Sequence, residues 1–206
     1  MMITFSGLDG SGKTTLIKIL EEYLCLKKIK FKSYTIYDDL SVYAFVRKIR
    51  ESINSVRGIE LNEELNSKKN TYKIFRGNYI KKFFLLFDIV LIFFVKYYFS
   101  FNKRILILDR YFYDYLMEVT DRIKFYQKFF CVLFPEPDIS FFIEIEPKVA
   151  FLRKGEYDIE TLTNRRKIYR DIFLLRPVSH YINNDNLDKS KNKLIEIIIN
   201  NINLND

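Results

Sequence analysis

Residues 2–6 form a short run of apolar and small side chains, the pattern of a buried strand. From 13 to 27 the apolar positions Leu16, Ile19, Leu20 and Leu24 recur at helical spacing, which predicts an amphipathic helix. A second strand is predicted over 30–37. A second helix follows over 41–55, carried by Val42, Phe45, Val46 and Ile49 and ended before Gly58. Asn62, with Glu63 and Glu64 in the turn after it, reads as the N-cap of a helical stretch that runs to about 100, with a break at Gly77-Asn78. Residues 104–109 are apolar and end in a carboxylate, the pattern of a buried parallel strand whose C-terminal end faces a site. Helical segments are predicted over 111–134, a turn at Pro135-Glu136-Pro137-Asp138 and a strand over 139–145. Pro147 then opens another helix, 159–174 a further basic one, 180–183 a short strand, and 188–201 a terminal helix with Leu194, Ile197 and Ile198 inward. Strands alternating with helices imply an α/β fold, a parallel sheet with right-handed crossovers and helices on both faces. No repeat, Gly/Ser linker or low-complexity tract interrupts 1–206, so one domain is expected.

The hydrophobic fraction of 49% and the aromatic fraction of 17% exclude a disordered chain. The net charge of +8 suits an anionic ligand, but the joint abundance of Lys, Ile, Asn, Tyr and Phe is also what an AT-rich coding background yields. Basic residues interleave with acidic ones instead of gathering with aromatic stacking motifs, which argues against a nucleic-acid partner. Cys25 and Cys131 belong to no C-x-x-C pair and are expected as core residues in a reducing compartment. The N-terminus has no basic n-region, so a cytoplasmic protein is expected. The apolar stretch 83–101 holds Asp88 and Lys96 and is followed by Lys103-Arg104. A bilayer span would be penalised by a few kcal/mol for each such charge, so no membrane span is expected, with superficial contact through this helix as the less favoured alternative.

Gly7-Leu8-Asp9-Gly10-Ser11-Gly12-Lys13-Thr14 fits G-x-x-x-x-G-K-[ST], the phosphate-binding loop, or P-loop, and Thr15 follows it. Many backbone N–H groups can crowd around a polyphosphate only where side chains do not block approach, hence Gly7, Gly10 and Gly12. The helix starting at Lys13 points its positive end at the same anion, Lys13 reaches the β- and γ-phosphates, and Thr14 is a candidate magnesium ligand. The motif lies between an apolar strand and an amphipathic helix, as this chemistry requires. ATP and Mg2+ are therefore the expected cofactors. Asp109, ending a strand, is a candidate second metal ligand, or an N-cap for the helix after it, two compatible roles. Arg110 beside it suits bidentate phosphate recognition, with a surface arginine as the alternative.

These residues resemble the thymidylate kinase family of P-loop nucleoside monophosphate kinases. The match rests on 5–15, on Asp109-Arg110-Tyr111, on Pro137-Asp138, and on Glu144-Ile145-Glu146-Pro147-Lys148-Val149-Ala150 with Arg153, spread over nearly the whole chain. The resemblance implies a P-loop NTPase fold, a three-layer α/β/α sandwich around a five-stranded parallel sheet. It implies transfer of the ATP γ-phosphate to a nucleoside monophosphate, with dTMP giving dTDP as the first acceptor to expect, and a homodimer as the usual assembly. Asp9 would contact the acceptor's sugar hydroxyl, Asp109 and Arg110 would serve metal and acceptor phosphate, and Arg153 would open a short lid over about 153–165. Phe87 would stack on the base.

The chain also departs from the family pattern. Ile36-Tyr37-Asp38-Asp39-Leu40 replaces an Arg-Glu-Pro-Gly-Gly stretch, and Leu91 stands where relatives carry a base-reading arginine, which predicts a permissive acceptor site. Arg47, near the position of a family arginine, is a candidate for the acceptor phosphate, with a solvated helix face as the alternative. Arg153-Lys154-Gly155-Glu156 gives a compact lid, and Arg165, Arg166 and Arg170 are its further basic candidates. His180 is expected to be structural, because phosphoryl transfer needs no histidine base. Asn183-Asn184-Asp185 is either an adenine-contacting loop, as in relatives, or a capping turn. A kinase for another small molecule and a nucleotide-binding module with little turnover remain the competing functions.

Overall fold

The computed structural model describes residues 1–36, 39, 78–112, 114, 133–173 and 179–202, with the backbone alone for 78–86, 173 and 179. Five strands, β1 (Met2–Gly7), β2 (Phe31–Thr35), β3 (Ile105–Asp109), β4 (Ile139–Glu144) and β5 (Ser179–Asn183), form one sheet in the order β2-β3-β1-β4-β5. Every neighbouring pair is parallel. The described helices are α1 (Lys13–Leu26), α2 (Asn78–Phe101), α3 (Pro147–Lys154), α4 (Ile159–Phe173) and α5 (Leu187–Ile202).

The pleat sorts the core into two layers. Ile3, Phe5, Ile107 and Phe141 point to the side covered by Leu16, Leu20 and Leu24 of α1 and by Leu194 and Ile198 of α5. Met2, Leu106, Leu108 and Phe142 point to the other side, against Ile89, Ile92 and Phe99 of α2, Ala150 of α3 and Leu162 and Tyr169 of α4. Because both faces are covered, β1 is buried along its whole length, and β3 and β4 up to their last residue. Full burial of each such Leu, Ile or Phe contributes roughly 1.5–3 kcal/mol, and this sets the strand register more firmly than strand propensity does.

The order places β1 where the sheet's connections diverge, between β3 and β4. Pairing Phe5 with Asp109 and Gly7 with Ile143 aligns the carboxyl ends of all three strands. The predicted elements that fall on described residues appear with ends moved by a few residues at most. The helix expected over 41–55, the cap at Asn62 with the helical stretch before 78, most of the helical segments expected over 111–134, and Cys131 lie outside the described residues. Cys25 is a correction, since it is exposed. It follows Leu24 by a 100° step, which carries it off the buried stripe of α1. Lys96, one of the two charges inside the apolar stretch, lies 3.4 Å from Asp138 at the foot of β4 and donates to Glu136 O at 2.5 Å. No helix among the described residues is long and apolar enough to cross a membrane.

Candidate active site

The loop after β1 is shaped by two glycines. Gly7 has φ +150°, and a β-carbon there would overlap the Ile143 carbonyl of β4. Gly12 has φ +90°, and a β-carbon would overlap the Asn184 side-chain amide. That amide donates to Ser11 O at 2.7 Å, so the turn after β5 fastens the loop to the sheet. Ser11 N–H closes the loop on Leu8 O at 3.1 Å. Gly12, the residue before α1, offers no side-chain cap, which leaves the first-turn amides of α1 without a side-chain acceptor. Lys13 is buried and its ammonium donates to Gly7 O at 2.8 Å and Leu8 O at 2.9 Å. Burial pushes its pKa below the ordinary lysine value, opposed first by Asp114.

A cleft of about 490 Å³ opens above the loop, lined by Asp9, Gly10, Gly12, Lys13, Thr14, Thr15, Asp109, Arg110, Arg153, Lys154, Asn184 and Leu187. Of the residues named from sequence, Lys13, Thr14, Asp109, Arg110 and Arg153 thus share one cavity. Ser11 and Leu8 are buried in the loop wall. Arg153 reaches the loop from α3, with Nη1 3.3 Å from Gly10 O. Phe87 is half-exposed on α2, and Leu91 is on the same helix. Neither lines this cleft. Arg47 lies outside the described residues.

Three polar atoms around the cleft, Ser11 Oγ, Asp109 Oδ1 and Asn184 Oδ1, are buried with no hydrogen-bond partner among the described residues. Buried polar atoms are almost always satisfied, so these are the atoms to expect in contact with a ligand, ion or water. An oxygen of Asp109 with the Thr14 hydroxyl across the same cleft suits Mg2+, a hard cation that takes one or two protein oxygens and completes its shell with phosphate and water. The described residues hold no cluster of three or more His, Cys, Asp or Glu side chains that could hold a metal ion. Capping of the turn after β3 falls to Asp114, whose Oδ2 accepts the Tyr111 N–H at 3.2 Å.

Arg110 sits at φ +69°, and its N–H extends the sheet ladder to Phe5 O at 2.9 Å. Its guanidinium donates to Asp9 Oδ1 and lies 3.6 Å from Asp114 Oδ1. Asp9 Oδ2 is 4.0 Å from Arg165 Nη1 of α4, and that guanidinium stacks 3.9 Å above the Tyr157 ring. Arg166 and Arg170 instead converge on Glu144 Oε1, at 2.8 Å and 2.5 Å. Of the three basic candidates on α4, Arg165 is therefore the one beside the loop. Within the span of about 153–165 expected as a lid, α3 and α4 are joined by a four-residue connection. Gly155 at φ +63° ends α3, and Asp158 accepts the Thr161 N–H at 2.7 Å to begin α4. Sequence reasoning did not single out Asp114 or Tyr169, whose hydroxyl donates to Asp114 Oδ1.

No family model matches the sequence. Among solved structures the chain is similar to a thymidylate kinase from Ehrlichia chaffeensis, with a TM-score of 0.57 and 18% identity over 96% of this chain and 97% of that one. At that identity the likeness is one of fold: the chain has the α/β architecture of P-loop kinases, a five-stranded parallel sheet between two helical layers.

Proposed function

We propose that this chain is an ATP-dependent phosphotransferase that moves the γ-phosphoryl group to a nucleoside monophosphate, with dTMP the first acceptor to test. The observation that carries this reading is the meeting of Lys13, Thr14, Asp109 and Arg110 around one cleft above the phosphate loop. On this reading the loop amides and the N-terminus of α1 hold the β-phosphate. Lys13 leaves its two loop carbonyls to follow charge onto the β- and γ-phosphates. Thr14 and Asp109 would hold Mg2+, which neutralises charge on the phosphate oxygens. Arg110 exchanges Asp9 for the acceptor phosphate, and Arg153 and Arg165 bring positive charge from the lid side. Catalysis of this kind consists of positioning and charge stabilisation, so the scarcity of base-type side chains in the cleft is no obstacle.

With Leu91 where relatives place a base-reading arginine, dTMP should be preferred over dCMP by a modest factor, read as a ratio of kcat/KM. The metal role is tested by Asp109→Asn, which keeps the shape and removes the charge. We expect turnover to fall about 100-fold or more, with a raised Mg2+ requirement and an unchanged far-UV spectrum. Unaltered rate and Mg2+ dependence would return Asp109 to a purely structural part.

A further inference from the structure

Asp114 is a buried carboxylate that phosphate binding leaves unused. It is 4% exposed and does not line the cleft. Its Oδ2 accepts the Tyr111 N–H at 3.2 Å and its own N–H donates to Tyr111 O at 3.0 Å, which closes the turn by which the chain leaves Arg110. Its Oδ1 lies 3.6 Å from the Arg110 guanidinium and accepts the Tyr169 hydroxyl. Tyr169 is buried on α4, its ring 5.2 Å from that of Phe142, and its hydroxyl lies 3.4 Å from Gly7 O. Gly7 O is one of the two carbonyls that hold Lys13. Tyr169 also follows Arg165 by four residues, so the two share a face of α4.

Among the described residues, the carboxylates of Asp9 and Asp114 hold Arg110, and they differ in access. Asp9 lines the cleft and Asp114 lies behind it, so an incoming phosphate can displace the Asp9 contact and leave the Asp114 contact in place. Departure of Lys13 toward a nucleotide would likewise relieve Gly7 O of a donor, with the Tyr169 hydroxyl the nearest replacement. We propose that Asp114 and Tyr169 form a buried joint that holds Arg110 from behind and couples α4, with its Arg165, to the phosphate loop. Both are positioning residues of the transfer reaction, and the inference rests on the function proposed above.

Tyr169→Phe removes one hydroxyl and Asp114→Asn removes one charge with little change of shape. For both variants and their combination we would measure kcat, KM for ATP and thermal midpoint. Trypsin digestion with and without a non-hydrolysable ATP analogue and Mg2+ completes the set, reading cleavage at Lys154 and Arg165. The expected result is a roughly tenfold or larger loss of kcat for each single variant, with KM for ATP within about threefold. The double variant falls no further than the worse single one, because groups acting as a unit are non-additive. The analogue protects the 154–165 region in the wild type and not in Tyr169→Phe. A lowered midpoint with unchanged kcat would reduce the pair to packing, and additive losses would break the joint. Should the wild type phosphorylate no acceptor, the proposed function fails by itself. The protection measurement then decides the joint alone: equal digestion of wild type and Tyr169→Phe with the analogue present overturns it.

Discussion

Lys13, proposed above to act on the phosphates, is expected to oppose stability. Its ammonium is buried, its pKa is lowered by that burial, and its two carbonyl contacts offset the desolvation only in part. Lys13→Met should therefore leave the thermal midpoint equal or higher while transfer falls about 1,000-fold or more, checked by calorimetry and turnover on the same sample. Gly12→Ala acts oppositely. A left-handed backbone and an overlap with the Asn184 amide should destabilise by about 1–2 kcal/mol in chemical unfolding, with nucleotide binding weakened as the loop shifts. His180 packs 5.9 Å from Phe141, and burial, then Lys193, hold its pKa below the ordinary imidazole value. The unfolded chain takes up a proton as pH falls below about 6.5, while the folded chain resists. Unfolding free energy should thus decline with falling pH through that window, and His180→Phe should remove that component of the slope.

At the scale of elements, the connection expected to act as a lid depends on how α3 stops and α4 starts. Gly155 ends α3 with φ +63°, and a β-carbon there would make an ordinary contact with Phe151 O at 3.8 Å, so Gly155→Ala meets backbone strain and no clash. We expect about 1 kcal/mol lost in chemical unfolding, and an equal or improved stability would show that α3 ends by other means. The elements themselves were largely legible. Strands buried on both faces show as runs of apolar and small side chains, unbroken in β3 and carrying Thr4 and Ser6 in β1 and Ser140 in β4, and α1 and α5 show as stripes. Cys25 misled because a small thiol carries little periodic signal, one step from Leu24. In the site, the loop, Asp109 and Arg110 were legible because their spacing and strand-end position are local features. Asp114 and Tyr169 lie 55 residues apart, and only the packing of α4 on β4 brings them together. The four-residue step from Arg110 to Asp114 was the one local signal available.

For the molecule as a whole, the strand order explains why one cleft gathers so many charges. With β1 between β3 and β4, the ends of these strands deliver the loop after β1 and Asp109 to the cleft, with Glu144 at the same edge of the sheet outside it. The turn after β5 adds Asn184, and α3 and α4 add Arg153 and Arg165. The central claim is that this edge transfers phosphate from ATP to a nucleoside monophosphate. Its most direct test incubates the purified chain with Mg2+ and ATP labelled at the γ-phosphate, against a panel of nucleosides and nucleoside monophosphates, and identifies the labelled product. Label in a nucleoside diphosphate, dTDP first among them, that depends on Mg2+ and disappears in Lys13→Met is the predicted result. Label confined to ATP and inorganic phosphate with every acceptor would contradict the account.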